Sequence, residues 1–248
     1  MNIESEKTLE IRSLVKSYGN KEVHKGVTFD LKHGEILALF GGSGSGKSVI
    51  LRSIIGLENP DDGEIIFENQ DLTKLSEEQL YKIRKSIAYV FQNGALFDSL
   101  TVEQNLSYPL FEHTKLTKDE IHNKVNQMLE VVDMKNSNDL LPSELSGGMQ
   151  KRAGLARAII LEPKIILFDE PTAGLDPINT KRLVENIKRL KKKGITGIFV
   201  THDMSSAFEI ADRIALLYHG KIYTIDTVEN IRKSRDPIIV GFLNGVES

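Results

Sequence analysis

A chain of 248 residues can bury a substantial core without a covalent staple, and 40% apolar with 27% charged residues places it among packed globular proteins, not disordered, collagen-like or fibrous ones. Its 32 Lys and Arg against 35 Asp and Glu give a net charge of -3, so no global basic field recruits nucleic acid or anionic lipid. The lack of cysteine excludes disulfides, zinc-thiolate sites, iron–sulfur clusters and a thiol nucleophile, and fits a reducing compartment.

Met1 to Arg12 is polar and acidic, without the basic-then-apolar order of a secretory signal, so export is not expected. Leu9 to Ile11 and Val27 to Leu31 read as antiparallel strands on either side of a Tyr18-Gly19-Asn20 turn. Ile36 to Phe40 is a continuous apolar run. It ends in a glycine-rich loop and Lys47-Ser48, after which Val49, Leu51, Ile54 and Ile55 recur at helical spacing, giving strand, loop and helix. Short buried strands follow at Ile65 to Phe67 and Ile87 to Phe91.

From Thr101 to about Leu161 helical periodicity takes over, with Thr117 to Glu120 as a cap and first turn ahead of Ile121, Val125, Met128, Leu129 and Val132. Strands and helices then alternate: strand 165–168, helix 179–193, strand 197–201, helix 205–212, strands 214–217 and 221–224. The pattern predicts an α/β fold with a parallel core sheet, a single domain whose core is 1–93 and 142–248 and whose inserted helical part is 94–141. Arg232 to Ser248, with Asp236-Pro237 and the apolar Ile238, Ile239, Val240, Phe242 and Leu243, predicts a short terminal helix packed on the body. Apolar runs such as Glu35 to Phe40 and Lys164 to Phe168 fall far short of the roughly 20 residues that cross a bilayer. The basic run Lys188 to Lys193 reads as a last helical turn before Gly194, complementing the helix macrodipole, in preference to a nucleic-acid patch.

Three segments carry chemistry. Gly41, Gly42, Ser43, Gly44, Ser45, Gly46, Lys47 and Ser48 fit the pattern Gly, four residues, Gly-Lys-Ser between a buried strand and a helix start. Glycines let successive backbone N–H groups turn inward around an anion, Lys47 reaches β- and γ-phosphates, and the Ser48 hydroxyl is offered to Mg²⁺, so a nucleoside triphosphate is the implied ligand. Asp169 and Glu170 follow a core strand at its C-terminal end. On an extended chain they face opposite ways, Asp169 toward the Mg²⁺ shell and Glu170 toward a water attacking the γ-phosphate. Leu145-Ser146-Gly147-Gly148-Met149 opens a helical stretch, Gln150 to Leu161; alone it is a capped helix whose N-terminus could also take an anion.

In this order and spacing, these segments together with a later histidine resemble the ATP-binding cassette (ABC) ATPase family over nearly the whole chain. The resemblance implies ATP with Mg²⁺ as ligands, Tyr18 stacked on adenine, Gln92 sensing Mg²⁺ and water, and His202 contacting the γ-phosphate or attacking water. Without it, Tyr18 would read as surface packing, Gln92 as a solvated strand end and His202 as a hydrogen-bonded loop residue. It further implies that Ser146, Gly147 and Gly148 contact the γ-phosphate held by a second copy of the chain, and that Ala173 to Asp176 lies across that dimer seam. Met149 departs from the family, where glutamine is frequent, and cannot make that amide's hydrogen bonds.

Phe91 to Leu100, Asn105 to Leu110, Glu112-His113-Thr114 and the terminal Asp236-Pro237 with Gly241 to Gly245 resemble the ATPase of the Mla (maintenance of lipid asymmetry) phospholipid transporters. That resemblance implies a transmembrane permease docked by the helical region 94–141, a membrane-anchored MCE lipid-binding protein, a STAS-domain protein in some members, and a peripheral place on the cytoplasmic face of the inner membrane. The alternatives are the ATPase of a small-solute importer of amino-acid type, or a soluble ABC ATPase acting on DNA or ribosomes; the latter usually carries a long coiled coil, a zinc hook or two cassettes. A P-loop kinase would have no need of Leu145 to Met149.

Overall fold

The computed structural model describes residues 7–245; Met1 to Glu6 of the amino-terminal reading, and the last three residues of the terminal segment, lie outside them. β1 (Lys7–Tyr18) and β2 (Lys21–Lys32) form an antiparallel hairpin far longer than the apolar pieces at 9–11 and 27–31. The two-residue turn between them opens on Gly19 at φ +58°, a conformation such hairpin turns require. After β3 (Ile36–Gly41) and α1 (Lys47–Ile54), β4 (Asp62–Phe67) and β5 (Gln70–Asp71) complete a four-stranded sheet in the order β2-β1-β4-β5.

Next come α2 (Glu77–Ile83), β6 (Ile87–Val90), α3 (Val102–His113), α4 (Lys118–Val131), α5 (Gly147–Ile159), β7 (Ile165–Asp169), α6 (Pro177–Lys192), β8 (Thr196–Val200) and α7 (Met204–Ile210). β9 (Arg213–Tyr218), β10 (Lys221–Thr227), α8 (Val228–Lys233) and α9 (Pro237–Leu243) close the described chain. β10-β9-β3-β8-β7-β6 is the main sheet, parallel from β9 to β6 with β10 antiparallel at one edge. The α/β expectation holds, and so do the capping box at Thr117 and Glu120 and the terminal helix. Helix α2 and the short α8 have no counterpart in the periodicity reading, although Ser76 and Gln79 form a capping box that announces α2.

The continuous apolar runs are strands buried on both faces. Alternate residues serve different cores: Ile36, Ala38 and Phe40 of β3 join Ile166 and Phe168 of β7 in a cluster filled by α3 to α7. Leu37, Leu39, Ile165 and Leu167 join Ile50, Leu51 and Ile54 of α1 and the inner face of the antiparallel sheet. The basic run ends α6 as expected, with Gly194 at φ +84° behind it; Lys188 pairs with Glu185 and Glu209, Arg189 with Asp133, and Lys191 with Asp212.

The ends of β3, β6, β7 and β8 share one edge because the strands are parallel. Gly41, Gln92, Asp169 and His202, which follow or close those strands, are thereby gathered on that edge.

Candidate functional site

The loop from Gly41 to Gly46 ends as the N-cap of α1, where Gly46 adopts φ +98° and ψ 12°. A side chain there would meet Val23 Cγ1 at 2.4 Å and His24 Nε2 at 2.5 Å, so the loop lies directly on β2. His24 is fully buried, and its Nε2–H donates to the Gly46 carbonyl at 3.1 Å, which fixes the tautomer because a carbonyl only accepts. Burial keeps the imidazole below its ordinary pKa, and Nδ1 has no partner, so the neutral ring is the form this site holds. The Lys47 ammonium donates to the carbonyls of Gly41 (2.7 Å) and Gly42 (3.0 Å), which draws it back over the loop. Ser45 Oγ is buried without a partner in that same loop.

Ser48 Oγ donates to Asp169 Oδ1 at 2.7 Å, joining the start of α1 to the end of β7. Tyr89, from β6, donates its hydroxyl to the other carboxylate oxygen at 2.7 Å; burial and then the Asp169 hydrogen bond hold this phenol well above its ordinary pKa. Glu170 is reached differently from the strand-alternation reading. β7 ends at Asp169, and Glu170 turns into the left-handed region at φ +49° while its N–H donates to the Val200 carbonyl at 3.0 Å. Its carboxylate meets His202 Nδ1 at 2.8 Å; the Glu170 side chain is 16% exposed and that of His202 71%. The turn, not an extended alternation, separates the two acids.

Ser146 caps α5, accepting the Met149 N–H at 3.3 Å, so the helix begins at Gly147 rather than Gln150. Ser146 and Gly147 face solvent, while Gly148 is buried under Asn179: a Cβ on it would sit 2.4 Å from Asn179 Oδ1. Asp176 caps α6 through the N–H groups of Ile178 and Asn179, both at 2.9 Å, and takes the Asn179 amide at 2.5 Å, which lowers its pKa. Lys151, half-buried and depressed in pKa by desolvation, donates to the Ala173 carbonyl. The serine-glycine segment and the Ala173 to Asp176 loop are therefore tied together in one chain.

Gln92 begins an exposed loop after β6, and Tyr18 ends β1 with 45% exposure and the Lys16 ammonium 5.2 Å from its ring centre. The loop after Gln92 is held from below. Fully buried Asn105 accepts the Phe97 N–H at 2.8 Å and donates to the carbonyls of Phe97 (3.1 Å), Leu100 (3.0 Å) and Thr101 (3.0 Å). Arg157 of α5 donates to the Ala95 carbonyl at 2.7 Å and lies over the Phe97 ring. Asn105→Ala strands several of these groups, so a loss of about 3 kcal/mol, roughly 6 to 12 °C in Tm, is expected in thermal melts. Phe91 and Phe97 flank this loop, and Tyr108 meets the Phe97 ring with centroids 5.5 Å apart; the three are 41% to 48% exposed, as Tyr81 and Phe111 are at 50% and 56%.

Sequence reasoning missed His24 and Tyr89; a single histidine in one strand and a tyrosine in another carry no local pattern. A concavity of about 1560 Å³ lies at the opposite edge of the main sheet, near Lys32, Lys193 and Arg213, and contains none of the expected site residues. Among the described residues no group of three or more His, Asp or Glu is arranged to hold a metal alone. The Ser48–Asp169 pair suits Mg²⁺, which takes one or two protein oxygens and completes its shell with phosphate and water. The orphaned Ser45 hydroxyl and the Lys47 ammonium suit the phosphates.

The ABC transporter family pattern matches residues 24–173. The chain is 40% identical over 238 residues to the probable ribonucleotide transport ATP-binding protein mkl of Mycobacterium leprae, spanning 96% of this chain and 69% of that one. It is 39% identical over 238 residues to the intermembrane phospholipid transport system ATP-binding protein MlaF of Haemophilus influenzae, spanning 96% of this chain and 90% of that one. Its fold superposes on a dimeric post-hydrolysis state of the ATP-binding cassette MJ0796 bound to ADP and Pi, with a TM-score of 0.82 and 31% identity over 89% of this chain and 98% of that one.

Proposed function

The chain belongs to the ABC transporter family and is one of its ATPases, and on that premise we propose that it hydrolyses ATP as a nucleotide-sandwiched homodimer to power phospholipid transport through a separate permease. The observation that carries the cargo is the match to MlaF, which extends over 96% of this chain and 90% of that protein. Ribonucleotide, the cargo in the name of mkl, is the second reading; this chain spans only 69% of mkl.

In this reading the two halves of each site come from different copies. One contributes Gly41 to Ser48 with Tyr18 against the base, Ser48, Gln92 and Asp169 toward Mg²⁺, and Glu170 with His202 toward the attacking water. The other contributes Ser146, Gly147, Gly148 and Asp176. The dimeric ADP-bound state of MJ0796 supports this arrangement, as does the solvent-facing N-terminus of α5. Bound Mg²⁺ would neutralise charge developing on the phosphates. Lys47 would leave the Gly41 and Gly42 carbonyls to bind phosphate oxygens, and Glu170 would accept the water proton while His202 holds its carboxylate in place.

No helix among the described residues is long and apolar enough to cross a membrane. Attachment to the cytoplasmic face of the inner membrane would come through the permease, docked on the exposed aromatic side chains of the helical region 94–141, with Gln92 linking that surface to the phosphates. The Mla resemblance adds an MCE lipid-binding protein and a STAS-domain protein to the assembly. The test is ATP turnover of the purified chain, alone and with its permease in vesicles, with phospholipid or ribonucleotide supplied. Turnover raised several-fold by permease and phospholipid is expected; no response to the permease refutes the coupling, and stimulation by ribonucleotide alone refutes the lipid cargo.

A further inference from the structure

Asp169 is gripped from two sides. Ser48 reaches Oδ1 from α1, and Tyr89 reaches Oδ2 from β6, each at 2.7 Å. The second grip follows from the sheet register: Tyr89 lies opposite Leu167, so Asp169, two residues further along β7, shares the face onto which the tyrosine projects. Tyr89 is partly buried, and its ring packs on that of Phe91 with centroids 4.3 Å apart, which leaves it little freedom to swing away. A phenol is a single donor at neutral pH, so it occupies one carboxylate oxygen and sets the torsion of the group.

We propose that Tyr89 is a positioning residue for the Mg²⁺-facing carboxylate: it takes up Asp169 Oδ2 and thereby presents Oδ1, beside the Ser48 hydroxyl, to the cation that accompanies ATP. This rests on the reading of Asp169 as a metal-facing residue. In this role Tyr89 acts through Asp169 and not on the nucleotide or the cation itself. The same ring stands against Phe91, next to Gln92, so the metal-facing carboxylate and the start of the permease-facing loop share one support.

The experiment is a Mg²⁺ titration of a fluorescent ATP analogue bound to the full chain, with parallel binding in EDTA and a thermal melt. Tyr89→Phe keeps the ring and its contact with Phe91 but removes the donor. It is expected to raise the Mg²⁺ midpoint about 10-fold, the scale of loss seen when an outer partner of a metal ligand is removed, while EDTA binding stays within about twofold. Phe91→Leu, which leaves the hydroxyl in place but removes the ring that steadies it, is expected to shift the midpoint less than Tyr89→Phe does. Tyr89→Leu replaces the Phe variant if the latter is insoluble, with the same readout. A Tyr89→Phe midpoint within about twofold of the parent overturns the proposal, whatever the melting temperature does. Asp169→Asn separates the two levels: if it shifts the midpoint and Tyr89→Phe does not, only the role of Tyr89 falls, and if neither shifts it, the metal reading of Asp169 falls as well.

Discussion

Glu170→Gln should leave ATP binding close to the parent level, lower steady-state hydrolysis about 10³-fold, and accumulate an ATP-locked dimer visible by size-exclusion chromatography. The substitution is nearly isosteric and keeps an oxygen able to meet His202, whose Nδ1 lies 2.8 Å from the native carboxylate. It removes the negative charge, and with it the capacity to act as a base. General bases are worth about 10² to 10⁴ in rate, which sets the expected loss. In the proposed cycle closure would draw on nucleotide contacts, which the substitution spares, and opening would need hydrolysis, which it blocks, so the dimer should accumulate. His202→Ala tests the dyad separately: it removes the partner that orients Glu170 but leaves the base, so a smaller loss is expected. Near-parent turnover of Glu170→Gln would refute the assignment of the base, and hydrolysis at full rate by a chain kept monomeric would refute the shared site.

The part of this molecule legible in its sequence is the part whose chemistry is local. The loop Gly41 to Ser48 had to be contiguous to wrap an anion, and the apolar run before it could only be a strand buried on both faces, so fold class and phosphate loop were read together. Asp176 shows the limit of that reading. Its carboxylate caps α6 in its own chain, a role that the resemblance to a dimer-seam loop did not bring out although Asp-Pro at a helix start is a familiar cap. Glu170 was placed by strand alternation, but the strand had already ended, and a left-handed backbone does the separating. His24 and Tyr89 were out of reach because their partners lie 22 and 80 residues away and are met only when sheets stack or strands align. Helix α2 was legible through Ser76 and Gln79; its 7 residues bury only Leu80, too little apolar signal for periodicity to register.

Gly46→Ala is expected to weaken ATP binding about 100-fold or more, because two independent penalties meet at one atom. The first is conformational: φ +98° lies where L-residues are strained, at a cost of roughly 1 to 3 kcal/mol. The second is steric. The new methyl would lie 2.4 Å from Val23 Cγ1 and 2.5 Å from His24 Nε2, and β2 is locked between β1 and the contact of Lys25 with Gly220, so the loop must lift instead. Overpacking of this kind costs about 1 to 3 kcal/mol, and each 1.4 kcal/mol is about tenfold in affinity. Lifting the loop also breaks the His24 bond to the Gly46 carbonyl, leaving a buried imidazole with neither nitrogen paired. Gly44→Ala isolates the first penalty, since Gly44 is also left-handed, at φ +72°, but a methyl there meets nothing within 4 Å. In thermal melts without nucleotide, Gly44→Ala should therefore lose less than Gly46→Ala. Adding His24→Ala to Gly46→Ala should recover part of the difference by making room below the loop, though not the share due to φ or to Val23. Equal losses for the two alanine variants would mean that the approach of β2 does not shape the loop and that backbone strain alone explains the glycines; full recovery in the double variant would mean the reverse.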